Sequence, residues 1–311
     1  MVKRKYGLVI GLLFVCLCLL LTPVRAADEP IDPARAGVLA ITYQYDGVSY
    51  PDMQVDLFRI ATVDANARYT LTEQFAPSGL IVNDIRTTGE WNVIRQTLEA
   101  YIWANTPAPD VTGTTGLGGQ IFFSDLTPGL YLAIPVQTDL SCSFVSALVA
   151  LPGRGADGHW IYQVAVTAKA EALPPIEPDE ELQLQVVKLW KGDEGKKTRP
   201  QSIQIEIFRE GVSQEIVTLS EETQWSYSWT AKDDGATWAV MEKNVPAGYT
   251  MTVENREHTF VVTNTYDQPQ PDQPPKTGDS FNVMLYLILM MVSGSMLIIL
   301  AIAGKRNSHE K

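Results

Sequence analysis

The 311-residue chain reads as a mainly β protein: two β-sandwich domains in series, the first with one inserted helix, then a C-terminal transmembrane helix. Three observations predict this. Apolar and polar residues alternate with period two in segments spread over 36–170 and 182–267, the pattern of half-buried strands. Only 90–105 changes to a helical period. Finally, the run from Val283 to Ala303 is apolar and uncharged; at about 1.5 Å of rise per residue it covers roughly 30 Å as a helix.

Lys3, Arg4 and Lys5 precede an apolar segment from Leu8 to Leu21, and Val24-Arg25-Ala26 places small residues where cleavage before Ala27 requires them. Residues 1–26 therefore read as a secretory signal peptide. Cys16 and Cys18 leave with it, and Cys142 alone cannot form an intramolecular disulfide. From Ala27 to Thr277 the chain carries 17 Lys and Arg against 34 Asp and Glu. That balance argues against nucleic acid or anionic lipid as a partner. The Pro-rich acidic stretch 171–181, with Pro174, Pro175 and Pro178, reads as a stiff linker between the two domains. A second Pro-rich stretch, 268–278, reads as a stalk. The span 279–304 follows, and Lys305 and Arg306 open a basic tail, 305–311, which the positive-inside rule places in the cytoplasm.

In the first domain, 27–170, Leu39, Ile41, Tyr43 and Tyr45 alternate as a strand, and Val55, Leu57 and Phe58 begin another. Trp91, Ile94, Leu98 and Ile102 share one face of the helix, which Thr106-Pro107 stops. Strands are expected at Gln120–Phe123, Leu130–Ile134, Phe144–Leu151 and Trp160–Ala168. Along the last of these Trp160, Tyr162, Val164 and Val166 face one way, and Gln163, Thr167 and Lys169 the other, which points Lys169 to solvent. Cys142 sits beside a strand without a recognisable base, so it reads as a small packed side chain.

The second domain, 182–267, holds the sharper signal. Leu184, Val186, Lys188 and Trp190 share one strand face; Trp238, Val240 and Glu242 share another; Phe260, Val262, Asn264 and Tyr266 share a third. A lysine, a glutamate and an amide on apolar faces are each costly to bury alone. Together they have a chemical use. Burial favours a neutral, nucleophilic Lys188 and a protonated Glu242. Glu242 then polarises the Asn264 carboxamide and shuttles a proton while the amine attacks and ammonia leaves, giving a Lys–Asn isopeptide bond. The alternative is a hydrogen-bonded polar cluster with no covalent bond.

Three family resemblances follow from these residues. Pro274-Pro275-Lys276-Thr277-Gly278, the apolar span and the basic tail resemble the LPXTG-type cell-wall sorting signal of Gram-positive surface proteins, with Pro274 where Leu is usual. The resemblance implies that a sortase cleaves between Thr277 and Gly278 and joins the Thr277 carbonyl to an amine of peptidoglycan or of another subunit. The membrane is then only a sorting intermediate. Phe122–Leu132, with its Leu-Thr-Pro-Gly turn, and Trp160/Val164/Val166/Lys169 resemble the N-terminal domain of SpaA-type pilin subunits, where the lysine accepts the next subunit's threonine. Here Thr167-Ala168 replaces the family's Tyr-Pro, and an ordinary surface lysine is the other reading of Lys169. Val186–Trp190, Ile203–Phe208, Trp238–Tyr249 and Thr263–Tyr266 resemble the Cna B-type fold, which implies a bond from Lys188 to Asn264 with Glu242 as catalyst.

The expectation is a cell-wall-anchored structural surface protein, a pilin subunit or pilin-like protein. The rival is a monomeric wall-anchored adhesin whose first domain binds a host or matrix ligand. No hydrolase motif, metal-ligand cluster or phosphate loop argues for an enzyme or a cofactor.

Overall fold

The computed structural model describes residues 29–136, 142–173, 181–194 and 198–266. The expected signal peptide, most of the expected linker, and the expected stalk, sorting motif and transmembrane helix lie outside these residues. Among the described residues no helix is long and apolar enough to cross a membrane.

In the first half, Gly37–Thr42 lies between Gln163–Thr167, with which it runs parallel, and Gln120–Leu126, with which it runs antiparallel. A second sheet takes the order Ala147–Leu151, Gly129–Pro135, Gln54–Val63 and Tyr69–Leu71, with Val111–Thr114 also paired to Gln54–Val63. The two sheets bury a common core that includes Leu39, Ile41, Val55, Leu57, Ile121 and Phe123. This is the burial that the alternation of apolar residues demands. Cys142 lies in that core as a free, buried thiol, with Tyr43 and Phe144 in the same cluster.

The other face of the larger sheet is apolar too, through Phe58, Ile60, Leu130 and Leu132, and the helix Thr88–Asn105 belongs to the core there. Thr87 caps the helix: its side chain accepts from the Glu90 backbone N–H, and Glu90 reaches back to the Thr87 N–H, a capping box that satisfies two otherwise orphaned donors. Ile94, Leu98 and Ile102 are buried, and so are Thr97 and Tyr101 on an adjoining face. One apolar stripe would not need the second face. It is buried because the helix also packs against Trp238–Glu242 and Tyr249–Arg256 of the second half.

The second half is a sandwich of a four-stranded and a three-stranded sheet. The larger has the order Ser226–Lys232, Glu181–Lys191, Thr259–Tyr266, Tyr249–Arg256; the smaller has Val212–Ser220, Ser202–Arg209, Trp238–Glu242. First and last strands run side by side and parallel, with Lys188 opposite Val262 and Trp190 opposite Asn264. Leu184, Val186, Ile205, Ile207, Val240, Phe260 and Val262 form the interior, in one cluster with the helix residues Ile94 and Leu98.

Two strand expectations are corrected. Phe144–Leu151 is divided: Cys142–Phe144 pairs with Ala170–Ala172, while Ala147–Leu151 pairs with Gly129–Pro135. Trp160–Ala168 is divided at Tyr162, so that Trp160–Ile161 pairs with Gly153–Arg154 and Gln163–Thr167 with Gly37–Thr42. In both cases one run of β-forming residues serves two partners, which local periodicity does not encode.

Candidate crosslink site

Strand parity carries Lys188 and Asn264 to the inner face of one sheet and Glu242 to the inner face of the other. Lys188 is two positions from the residue opposite Asn264, so the two side chains are diagonal neighbours on adjacent strands. Glu242 stands opposite Ile205 and reaches them across the core. Lys188 Nζ lies 3.0 Å from Glu242 Oε2, both side chains having no exposed surface. Asn264 Nδ2 donates to Glu242 Oε1 at 3.1 Å. Asn264 Oδ1 finds no donor among the described residues.

The surroundings are aromatic. The Trp190 ring centroid is 4.7 Å from Lys188 Nζ, and the edges of Trp225 and Tyr249 pack against that ring, each with centroids 5.2 Å away. Burial pushes the Lys188 ammonium down to about 8, against the opposing attraction of Glu242. A larger share of neutral amine is thus present near neutral pH than on an exposed lysine.

Lys169 is not part of this cluster and lies just after Gln163–Thr167. Its side chain is 73% exposed and pairs with Glu171 at 2.5 Å, while Tyr162 and Ala168 turn inward. Pro274, Pro275, Lys276, Thr277 and Gly278 lie outside the described residues. No group of three or more His, Cys, Asp or Glu that could hold a metal occurs among the described residues.

One polar group beside the site has no counterpart in the sequence reading. Asp193, with no exposed side-chain surface, accepts from Arg199 Nε at 2.6 Å, from Arg199 Nη2 at 2.7 Å and from the Tyr249 hydroxyl at 2.8 Å. These hydrogen bonds, Arg199 first, hold its carboxyl at about 2. No periodic spacing announces it, because its partners are Arg199, six residues on, and Tyr249, which arrives from another strand.

Residues 184–265 match the family model of the Cna protein B-type domain. No protein with a curated description matches the chain. Among solved structures, a single B repeat unit of the collagen-binding surface protein Cna of Staphylococcus aureus is 15% identical, over 75% of this chain and 99% of that one, with a TM-score of 0.26. The shaft pilin SpaA of Lactobacillus rhamnosus GG is 13% identical over 76% and 100%, with a TM-score of 0.26. The major pilin SpaD of Corynebacterium diphtheriae is 11% identical over 76% and 99%, with a TM-score of 0.28. Such values are too low to transfer residues or activities, and the Cna B-type domain rests on the family model.

Proposed function

We propose that this chain is a wall-anchored structural surface protein, a pilin subunit or pilin-like protein, whose second domain is closed by an autocatalytic bond between Lys188 and Asn264. The observation that carries the reading is the fully buried Lys188–Glu242–Asn264 cluster, with contacts of 3.0 and 3.1 Å, in which Lys188 and Asn264 lie on the first and last strands of a Cna B-type domain and Glu242 on the facing sheet.

The chemistry balances without a cofactor. A proton passes from the Lys188 ammonium to Glu242, leaving a neutral amine and a carboxylic acid. Turning the Asn264 carboxamide about its last torsion exchanges Oδ1 and Nδ2, so that the acid proton hydrogen-bonds to Oδ1 and polarises Cγ. Lys188 Nζ attacks Cγ, Glu242 relays a proton from Nζ to Nδ2, the Cγ–Nδ2 bond breaks and ammonia leaves. Burial favours the step by keeping the amine unprotonated and excluding water that would compete for the carbonyl. The bond joins neighbouring parallel strands, so tension on the chain ends cannot peel them apart.

The anchoring half of the proposal rests on the sequence from Pro274 to Lys311: a sortase cleaves after Thr277 and transfers its carbonyl to peptidoglycan or to an amine of another subunit. Lys169, exposed at a strand end, is the amine assigned to that second role. The test is the intact mass of the purified, folded chain from Ala27 to Thr277. A deficit of one ammonia is expected, and an unmodified mass overturns the crosslink.

A further inference from the structure

The proposed Lys188–Asn264 reaction also gives Asp193 a part, and this step rests on that reading. We infer that Asp193 is a positioning residue that closes the end of the crosslink site by pinning the aromatic lid over Lys188.

Asp193 lies two residues beyond the strand that carries Lys188. Burying a carboxylate there is costly unless several donors meet it. Three do: two from Arg199 and one from Tyr249. The Tyr249 hydroxyl is also 2.8 Å from Thr198 Oγ1, so Thr198 and the Asp193–Arg199 pair are tied to the start of the strand Tyr249–Arg256. The tie acts on Trp190 from two directions. The Tyr249 ring packs edge-on against Trp190, and the Arg199 guanidinium carbon lies 5.8 Å from the centroid of the same indole. Lys188 Nζ, 4.7 Å from that centroid, is thereby covered.

Hydrogen bonds to a fixed carboxylate are directional, whereas apolar packing alone would let the indole tilt and admit water. Admitted water would solvate the ammonium and return the amine to its ordinary protonation, removing the nucleophile. Removal of Asp193 would also leave the Arg199 charge unpaired beside the lid, which disfavours the ammonium and works against that change, so Tyr249→Phe, which alters no charge, carries the direction of the test. The charged groups facing Lys188 are then Glu242 from the opposite sheet and, behind Trp190, the Arg199–Asp193 pair.

The experiment uses the chain from Ala27 to Thr277, isolated under denaturing conditions before it folds, refolded at a series of pH values and followed by intact mass. Asp193→Asn and Tyr249→Phe are compared with wild type. Each one-unit rise in the lysine's pKa lowers its neutral fraction tenfold below that pKa. Ammonia loss in Asp193→Asn is expected to slow by about tenfold or more at neutral pH. The reacting Lys188–Glu242 pair holds one proton, so the pH–rate profile is a bell; its plateau should fall and the midpoint of its alkaline limb should move upward, with no recovery of rate in alkali. Tyr249→Phe keeps the ring and the Asp193–Arg199 pair, so it should shift the midpoint in the same direction by less, and it carries the test alone if Asp193→Asn does not fold. A merely structural role would lower the folded fraction without moving the midpoint. Wild-type rate and midpoint in the folded variants overturn the role of Asp193 and leave the crosslink standing. An unmodified wild-type mass overturns both.

Discussion

Thr97 Oγ1 accepts a hydrogen bond from the Val253 backbone N–H at 2.8 Å, joining the helix of the first half to a strand of the second. Beside it, Gln96 Oε1 accepts from the Asn255 N–H, also at 2.8 Å. Val253 and Asn255 belong to Tyr249–Arg256, the edge of the four-stranded sheet. Their outward N–H groups would otherwise be open to pairing with another chain. The helix takes the place of a further strand, supplying side-chain oxygens where a neighbour would supply carbonyls.

Replacing Thr97 by Val keeps the shape but removes the acceptor, leaving a buried N–H unmatched. A loss of about 1–3 kcal/mol is expected, with Thr97→Ser losing less. Urea unfolding midpoints check this, and a Thr97→Val chain as stable as wild type would show that the contact contributes nothing.

Lys188→Ala or Glu242→Ala should restore the mass of one ammonia. In the entropic account, a bond across the long Lys188–Asn264 loop contributes on the order of 4 kcal/mol. The uncrosslinked variants should therefore unfold about 10 °C or more below wild type. Calorimetry of wild type and variants under one condition measures the difference, and equal transitions would show that no such crosslink constrains the chain.

Asn264→Ala keeps Lys188 and Glu242 but cannot form the bond, so the lysine still titrates. Its folded value, about 8, lies below the unfolded 10.5. Between these values the unfolded state binds more protons, so stability should rise with pH across that window and stay flat in this respect below it. Crosslinked wild type, whose lysine has become an amide, should lack this rise. Urea titrations of both proteins around pH 8 to 10.5 make the comparison, and parallel curves would contradict a titrating buried amine.

The wall-linked protein should end at Thr277, read by mass spectrometry of material released from the wall. Peptides from Val283 onward in that material would identify an unsorted membrane protein. A high-mass ladder in wall extract should disappear in Lys169→Ala. A ladder unchanged by the substitution would remove Lys169 from the acceptor role, and the absence of any ladder in wild type would leave a singly anchored protein.

The inward faces at Lys188, Glu242 and Asn264 were legible in the sequence because side chains alternate along any strand, whatever strand lies beside it. The helix was legible for a similar reason: Trp91, Ile94, Leu98 and Ile102 recur at its own period, and Thr106-Pro107 marks its end. Tertiary structure decided what covers those faces. Thr97, a polar residue off the apolar stripe, is buried because a sheet from far along the chain packs there. The run 144–151 divides because its two ends meet different strands. Asp193 gains its partners only when Arg199, six residues on, and Tyr249, 56 residues on, come beside it in the fold. Periodicity reports the geometry of a segment by itself; the pairing of segments and the closing of loops depend on contacts between distant residues, and these form only in the folded chain.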